Sequence, residues 1–391
     1  MHGPWHLQRQ KAADLPYKSL PRLRGLRGEL PVPASGRIHQ PLAGATGVRL
    51  PRGCGTRYDS GMDAVDWLLN SDPAIRWQAM RDLTDASPAA VAAERARVAR
   101  EGIGAEILSR QESDGSWRRP DAPVWLPTLF TLLLLRATGA DPAEPAVRSA
   151  VARLEASLWW NNPGGRWGLR GREFGGKPFF AGEVEPCING GTLALGAYFG
   201  RPTESLARRL VGEQLEDGGW NCEAPKSLRS SFHTTICVLE GLLEYERAVG
   251  SVPEIAAARR RGEEYLLARG LFRRRSTGEV ANPAFLELAF PPRYHYDVLR
   301  GLDYFRAASA PPDARMADAI RIVASRRQAD GRWLLDRAYD EALAVPAGES
   351  AGEPSRWNTL RALRVLRWHE RASAQTTHPP DSISLPREAA M

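Results

Sequence analysis

The 391-residue sequence has few cysteines and no long apolar segment. Its four cysteines, Cys54, Cys187, Cys222 and Cys237, are too few for the disulfide framework of a small secreted protein. The N-terminus lacks the continuous apolar core of a signal peptide. An apolar stretch such as residues 129–135 is far too short to span a bilayer. We therefore expect a cytoplasmic protein whose thiols are reduced.

Positive charge is concentrated at one end of the chain. The net charge is +7, and residues 1–61 alone supply it with ten Lys/Arg and three Asp/Glu, so that the remainder balances at 43 basic and 43 acidic residues. Residues 1–61 also lack hydrophobic periodicity, which predicts a disordered basic tail or a true start at Met62. Although a basic tail can bind nucleic acid or anionic lipid, the balanced core is not expected to bind nucleic acid. We predict a folded domain over residues 62–370 and a disordered C-terminal tail over residues 371–391.

A short motif recurs along the predicted domain. It reads Q-x-x-D-G-x-W, with one copy a residue shorter, and ends at Trp117, Trp220 and Trp333, while Trp167 ends a degenerate copy. The successive tryptophans are 50, 53 and 113 residues apart, and the last spacing is close to two periods. Asp-Gly favours a tight turn. A period of this length is typical of an array in which each unit buries its apolar face only against its neighbours.

Hydrophobic periodicity predicts a helix on each side of every turn and almost no strands. This pattern corresponds to five or six helical hairpins. The predicted inner helices cover residues 126–138, 189–199, 234–247, 296–307 and 357–370, and the predicted outer helices cover residues 89–110, 143–158, 203–215, 254–268 and 314–327.

The motif between paired helices resembles the QW repeat of squalene cyclases and of the β-subunits of protein prenyltransferases. Those families share the α/α-toroid, in which inner helices are ringed by outer helices and the site lies in a central cavity. The resemblance covers about residues 62–370 and implies an all-α, α/α-toroid fold. It does not decide the chemistry, because one toroid hosts several reactions. The D-x-D-D acid motif, the D-D-x-x-D magnesium motif and a nucleotide-cofactor motif are all missing from the sequence.

Two predicted inner helices begin with residues that can ligate a metal. Glu185 and Cys187 precede one helix and His233 begins the next, 46 residues after Cys187, which is about one repeat. This set resembles the zinc site of protein prenyltransferase β-subunits, where an Asp-x-Cys joins a His; here Glu replaces the Asp. The resemblance implies that the three residues hold zinc with one position open, as a catalytic site requires. Cys222 and Glu223 are alternative ligands, although a role in the turn is favoured for both.

The other expected site residues follow from the same resemblance or from residue type alone. An isoprenoid chain would lie against aromatic side chains, and cationic side chains would hold a diphosphate at the mouth of the cavity where the inner helices start. His295 and Asp297 are candidates for an acid–base pair, together with His233 as a catalytic residue. The predicted substrate-binding residues are Trp125, Phe180, Lys226, Arg229, Phe232, Arg293, Tyr294 and Trp357.

Each of these residues also has a purely structural interpretation. Cys187 is equally consistent with a small buried core residue, and His233 with a histidine that bonds the backbone at a helix start. The leading hypothesis is a prenyltransferase-like or terpenoid cyclase-like enzyme that acts on an isoprenoid or other hydrophobic substrate in the central cavity. Zinc is its candidate cofactor. The alternatives are a non-catalytic toroid that binds a lipid or peptide, and a cyclase without the usual Asp-rich motif. Protein prenyltransferases also require a partner subunit, which one sequence does not reveal.

Overall fold

The computed structural model describes residues 63–160 and 177–377, with side chains described as far as residue 372. The predicted N-terminal tail, the start at Met62 and the degenerate motif at Trp167 lie outside these residues. The last helix runs to Thr377, past the predicted end of the domain at residue 370. The remainder of the predicted C-terminal tail is outside the described part of the chain.

The described residues form an all-α fold with two short pairs of antiparallel strands, which confirms the predicted fold class. The strands are β1 (Trp159–Trp160) with β2 (Lys177–Pro178) and β3 (Trp333–Leu334) with β4 (Pro354–Ser355). The helices are α1 Ala64–Leu69, α2 Pro73–Leu83, α3 Pro88–Arg97, α4 Gly102–Ser109, α5 Trp125–Thr138, α6 Pro145–Ser157, α7 Pro186–Tyr198, α8 Glu204–Gly212, α9 Phe232–Val249, α10 Pro253–Leu267, α11 Val298–Ala307, α12 Ala317–Ser325 and α13 Arg356–Thr377.

Six of these helices form a closed inner ring. They are α2, α5, α7, α9, α11 and α13, and each packs against the next along the chain or is bonded to it. The ring closes between its last and first members, because the Arg364 side chain donates to Gln78 Oε1 at 3.2 Å and Arg367 donates to Asp82 O at 3.1 Å. The remaining helices of the repeat units pack outside. The fold is therefore the α/α-toroid that the motif predicts.

The inner helices α7 and α9 approach most closely. A Cβ atom on Gly190 would lie 2.3 Å from Cys237 O, and one on Gly241 would lie 2.5 Å from Gly190 O. Glycine at both positions lets the two backbones touch. This contact fixes α7 and α9 side by side, and it is at their starts that the candidate metal ligands lie.

The three tryptophans of the motif occupy equivalent buried positions. Each indole Nε1 donates to a backbone carbonyl ten residues earlier, and each backbone N–H donates at 3.0 Å to a threonine Oγ1 on the following inner helix. The Nε1 partners are Ile107 O at 2.7 Å for Trp117, Leu210 O at 2.6 Å for Trp220 and Val323 O at 2.7 Å for Trp333, and the threonines are Thr128, Thr235 and Thr359. Buried indole and backbone N–H groups need such partners, so the motif joins an outer helix to the next inner one.

One predicted helix is divided in the structure, and one inner helix was not predicted. The predicted outer helix over residues 89–110 is divided into α3 and α4, because Gly102 has a φ of 62° and Ile103 N donates to Asp72 Oδ2 at 2.9 Å. The first inner helix, α2, was not predicted, since no motif copy precedes it. Its start is nevertheless marked in the sequence by Asp72, which accepts from Ala74 N at 2.8 Å, followed by Pro73. Among the described helices, none is both long enough and apolar enough to cross a membrane.

Candidate functional site

A central cavity of about 390 Å³ lies inside the ring of inner helices. All six inner helices contribute to its wall, so it is the space that the toroid encloses. Its wall combines apolar side chains, which suit a hydrophobic chain, with charged ones. Representative apolar lining residues are Trp77, Leu129, Phe130, Leu133, Ile188, Leu243, Leu343 and Trp357.

Three of the eight predicted substrate-binding residues line this cavity: Arg293, Tyr294 and Trp357. Trp357 stacks on Phe290 with ring centroids 4.3 Å apart, and the Arg293 guanidinium lies 4.8 Å from the centre of the Phe130 ring. These contacts place a cation among aromatic faces at the cavity wall.

The other five predicted substrate-binding residues do not line the cavity. The Trp125 and Phe180 rings pack in the core on Trp160 and Phe179, while Phe232 packs on Phe285. Phe232 begins an inner helix, but its ring faces the aromatic core formed with α10. Lys226 and Arg229 are exposed in the loop that precedes α9.

A group of three potential metal ligands forms at the start of α7. The donor atoms of Glu185, Cys187 and Cys222 all lie within 4.8 Å of one another, and Cys187 Sγ is 3.8 Å from Glu185 Oε2. Two ligands of one tetrahedral zinc are about 3.6 Å apart at the usual bond lengths, so the arrangement fits a zinc ion. Cys187 also lines the central cavity, which leaves a side of this group facing the cavity.

His233 is not part of this group, which corrects the predicted ligand set. Its Nδ1 accepts the Tyr296 N–H at 2.8 Å, and its ring packs edge-on against Phe285. The imidazole is thereby directed towards the start of α11. Cys222 is the third potential ligand of the group. Its position is fixed by the buried Trp220 two residues earlier and by the contact of Cys222 Sγ with Thr234 Oγ1 at 3.4 Å. The sequence had offered Cys222 only as an alternative ligand.

The loop before α7 is held by buried polar contacts. Asn189 Oδ1 accepts from Glu183 N at 2.7 Å, and Asn189 Nδ2 donates to Glu183 O at 2.9 Å. The Glu183 carboxyl in turn accepts the Glu185 N–H. Burial, followed by the charge of Glu185, raises the pKa of Glu183 to about 8. The hydrogen bond with Cys222, together with burial, raises the pKa of the Cys187 thiol well above its usual value.

His295 and Asp297 do not form the predicted acid–base pair. Both Asp297 oxygens accept backbone N–H groups, from Arg300 at 2.8 Å and Ala289 at 3.3 Å, so Asp297 caps α11. The His295 ring stacks on Tyr339 with centroids 3.8 Å apart. Burial lowers the pKa of His295 to about 3, and burial followed by the charge of Arg300 lowers the pKa of His233 to about 4. Both histidines are therefore neutral at pH 7, and neither lines the cavity.

Arginine is the most abundant charged residue of the cavity, and only Arg293 among the lining arginines was predicted as a site residue. Nine arginines but only three carboxylates line it. The carboxylates are bound by arginines: Arg300 holds Glu240 at 2.7–2.8 Å, Arg136 holds Glu244 at 2.5 Å, and Asp303 accepts from Arg364 at 2.5 Å. Burial alone would raise the pKa of Asp303, but Arg364, Arg306 and Arg361 hold it well below its usual range. The cavity thus has an excess of positive charge.

Two buried arginine atoms at the cavity wall have no hydrogen-bond partner among the described residues. They are Nε of Arg136 and Nε of Arg293. The Arg293 side chain is 8% exposed, and its backbone φ of 49° is unusual for a residue with a Cβ atom. Buried polar groups are nearly always satisfied in folded proteins, so these two atoms are exceptions, as are Nε of Arg76 and Nε of Arg332 away from the cavity. The sequence signal that was available is the arginine in the last turn of α2, α5, α9 and α11.

No protein-family model and no curated protein matches the chain. Among solved structures, the type II terpene cyclase MstE from Scytonema (apo) is similar to this chain at 17% identity, with a TM-score of 0.40, over 77% of this chain and 87% of the cyclase. A protein from Actinoplanes is similar at 16% identity, with a TM-score of 0.39, over 76% of this chain and 89% of its own. Function must therefore be inferred from the residues of this chain.

Proposed function

We propose that the protein is an enzyme that binds an isoprenoid, or a comparable hydrophobic chain, in the central cavity of the toroid. The observation that carries the proposal is the cavity itself, whose apolar and cationic wall includes Cys187 from the group of possible metal ligands. An apolar chain gains about 0.8 kcal/mol for each buried CH₂ group, and the arginines provide partners for an anionic head group.

Glu185, Cys187 and Cys222 are the residues proposed to hold a zinc ion. One carboxylate and two thiolates leave a fourth position open, and zinc bound in this way lowers the pKa of a bound water or thiol, or polarises a substrate oxygen. The chain's own contribution is positional. Asn189 fixes the loop that carries Glu185, while the Trp220 turn and the first turn of α9 fix Cys222.

A proton-initiated cyclisation has less support from the cavity. Of the three carboxylates that line it, Asp303 and Glu244 have a lowered pKa despite burial, because arginines surround them. Glu240 accepts two bonds from Arg300. Ionised carboxylates cannot donate a proton to an alkene, so Asp303 and Glu244 act as acceptors.

Filling the cavity tests the binding site. Gly191 lines the cavity, and a Cβ atom there would lie 3.4 Å from Leu133 Cδ1. Gly191→Leu should weaken binding of farnesol, measured by tryptophan fluorescence, by about tenfold or more, since tenfold corresponds to 1.4 kcal/mol. Gly212→Leu is the matched control, because Gly212 lies on α8 with nothing within 4 Å of an added Cβ. Equal binding by both variants would place the ligand outside the cavity.

Metal analysis tests the zinc site. Purified protein incubated with zinc and desalted should retain about one ion per chain. Cys187→Ser and Cys222→Ser should each lose it, and bound zinc should protect both thiols from alkylation. Cys237→Ser and His233→Ala serve as controls that retain the ion. Loss of zinc from His233→Ala but not from Cys222→Ser would restore the ligand set expected from sequence.

The runner-up is a non-catalytic toroid that binds a lipid or peptide. It is favoured if the wild-type protein binds the hydrophobic probe but retains no metal and turns over no prenyl substrate.

A further inference from the structure

The inner helices run parallel, so their last turns meet at one end of the cavity. This order is visible in the contacts: Tyr198 Oη donates to Ala140 O at 2.8 Å, and the Arg247 side chain donates to Ala307 O at 2.5 Å. Both contacts join residues near the ends of inner helices. Cys187, in contrast, lies in the first turn of α7. The two ends of the cavity are separated by about 16 Å along α7, given a rise of 1.5 Å per residue.

The end formed by the last turns is rich in arginine. We name it the arginine end and define it by the lining residues Arg81, Arg95, Arg136, Arg247, Arg306 and Arg364. The carboxylates paired with these arginines are Asp82, Glu244 and Asp303. Six cations thus face three anions, which leaves an excess of three positive charges.

Helix ends explain only part of this excess. Cations are expected near helix C-termini, where carbonyl groups lack partners. Arg95 donates to Gly139 O at 2.8 Å and Arg247 to Ala307 O at 2.5 Å in this way. Arg136 does not: it bonds Glu244 and leaves its buried Nε without a partner among the described residues. Arg306 bonds Asp303, a carboxylate that Arg364 already holds.

We propose that the arginine end binds the phosphate or diphosphate head of the ligand, with the hydrophobic chain running towards Cys187. This inference rests on the proposed function and adds an orientation to it. Phosphate oxygens accept several charge-assisted hydrogen bonds at once, which matches a group of guanidinium donors. Arg81 and Arg247 are 44% and 46% exposed, so solvent reaches this end and a charged head can enter there.

The orientation differs from the one expected from sequence. The sequence predicted that the diphosphate binds at the starts of the inner helices, with Arg293, Lys226 and Arg229. Of these three residues, only Arg293 lines the cavity. A head group at the arginine end instead leaves the far end of the chain near Cys187. Any reaction at the possible metal ligands then involves the end of the ligand that is remote from its charge.

Two variants separate the two orientations. Arg136→Gln combined with Arg306→Gln removes two positive charges, while Glu244 keeps Arg247 and Asp303 keeps Arg364 and Arg361. Binding of farnesyl diphosphate, measured by calorimetry, should weaken by about tenfold or more, because two donors of charge-assisted hydrogen bonds are lost. Binding of farnesol should be unchanged. Arg321→Gln, a 77% exposed position on α12, is the matched control.

The outcomes distinguish this inference from the proposed function. If wild type binds both probes and Arg293→Gln, rather than the double variant, weakens only farnesyl diphosphate, the head lies at the Cys187 end and the orientation is wrong. If the double variant weakens farnesol as strongly as farnesyl diphosphate, the arginines support the fold and not the head group, and the inference fails. If wild type binds neither probe, the proposed function itself is wrong.

Discussion

The tryptophan N–H groups of the turns and two arginine side chains of the cavity wall differ in their hydrogen bonding. In the turns, every indole N–H has a carbonyl partner at 2.6–2.7 Å, and the three backbone N–H groups reach threonine at the same 3.0 Å distance. At the cavity wall, Nε of Arg136 and Nε of Arg293 are buried with no partner among the residues described. The tryptophan N–H groups of the turns are thus satisfied within the protein, whereas these two arginine atoms, like Nε of Arg332 in the third turn, have no partner in the described structure.

The turns join the repeat units of the toroid, whereas the wall residues enclose its central cavity. Consistent local choices stabilise a fold, and departures from them are expected where a protein functions. The turn contacts repeat because each unit needs the same connection. Most cavity residues, in contrast, do not recur from one unit to the next. Substitutions in the turns should therefore change stability, and substitutions at the wall should change binding.

The largest expected effect is at a turn. Trp220→Ala removes a fully buried indole and leaves Leu210 O without its donor. The free energy of unfolding should fall by about 3–5 kcal/mol, the usual cost of Trp-to-Ala in a core, as measured by urea denaturation. Leu228→Ala, at a 77% exposed position, is the control and should change it by less than about 0.5 kcal/mol. Similar stabilities for the two variants would contradict a structural role for the motif.

An intermediate effect is expected beside the cavity, from the buried pair His233 and His295. Their folded pKa values of about 4 and about 3 lie below the usual 6.5. The unfolded chain therefore takes up more protons than the folded one below pH 6.5, and stability falls as the pH drops towards 4. His295→Phe keeps a ring to stack on Tyr339 but cannot be protonated.

The measurement for this pair compares stability at two pH values. Between pH 7 and pH 4.5, wild type should lose about 2 kcal/mol more unfolding free energy than His295→Phe. All other titratable groups are the same in the two proteins, so the difference between their stability changes reports the His295 imidazole. Parallel pH profiles for the two proteins would indicate that His295 is protonated in the fold as easily as in solution.

Much of the toroid was predictable because its connections are local. Asp-Gly followed by Trp specifies a turn through backbone geometry and burial within a few residues, and three copies gave the period. The inner helix α2 was missed because it lacks the motif, although Asp72 and Pro73 mark its start. The interruption at Gly102 depends on Asp72, thirty residues away, which no local pattern reveals.

The site was less predictable because it depends on side-chain direction. The sequence spacing correctly brought Glu185 near Cys187, which are neighbours on the chain. It could not tell that His233 would accept the Tyr296 N–H, since Tyr296 belongs to the next inner helix. It also did not assemble the arginine end, although an arginine in the last turn of α2, α5, α9 and α11 was a signal, because these helices are far apart in the chain.

The smallest expected effect gives the sharpest comparison, because it uses one substitution at two equally buried threonines. Thr235 and Thr192 are both 0% exposed on inner helices. Thr235 Oγ1 accepts the Trp220 N–H, whereas Thr192 Oγ1 has no hydrogen-bond partner in the described structure. Thr235→Val should lower the unfolding free energy by about 1–2 kcal/mol, since it leaves a buried N–H unpaired. Thr192→Val should be neutral or slightly stabilising, because it removes an unsatisfied hydroxyl. Urea denaturation of both variants measures the difference directly, and an equal loss in both would mean that the hydrogen bond to the tryptophan turn adds nothing to stability.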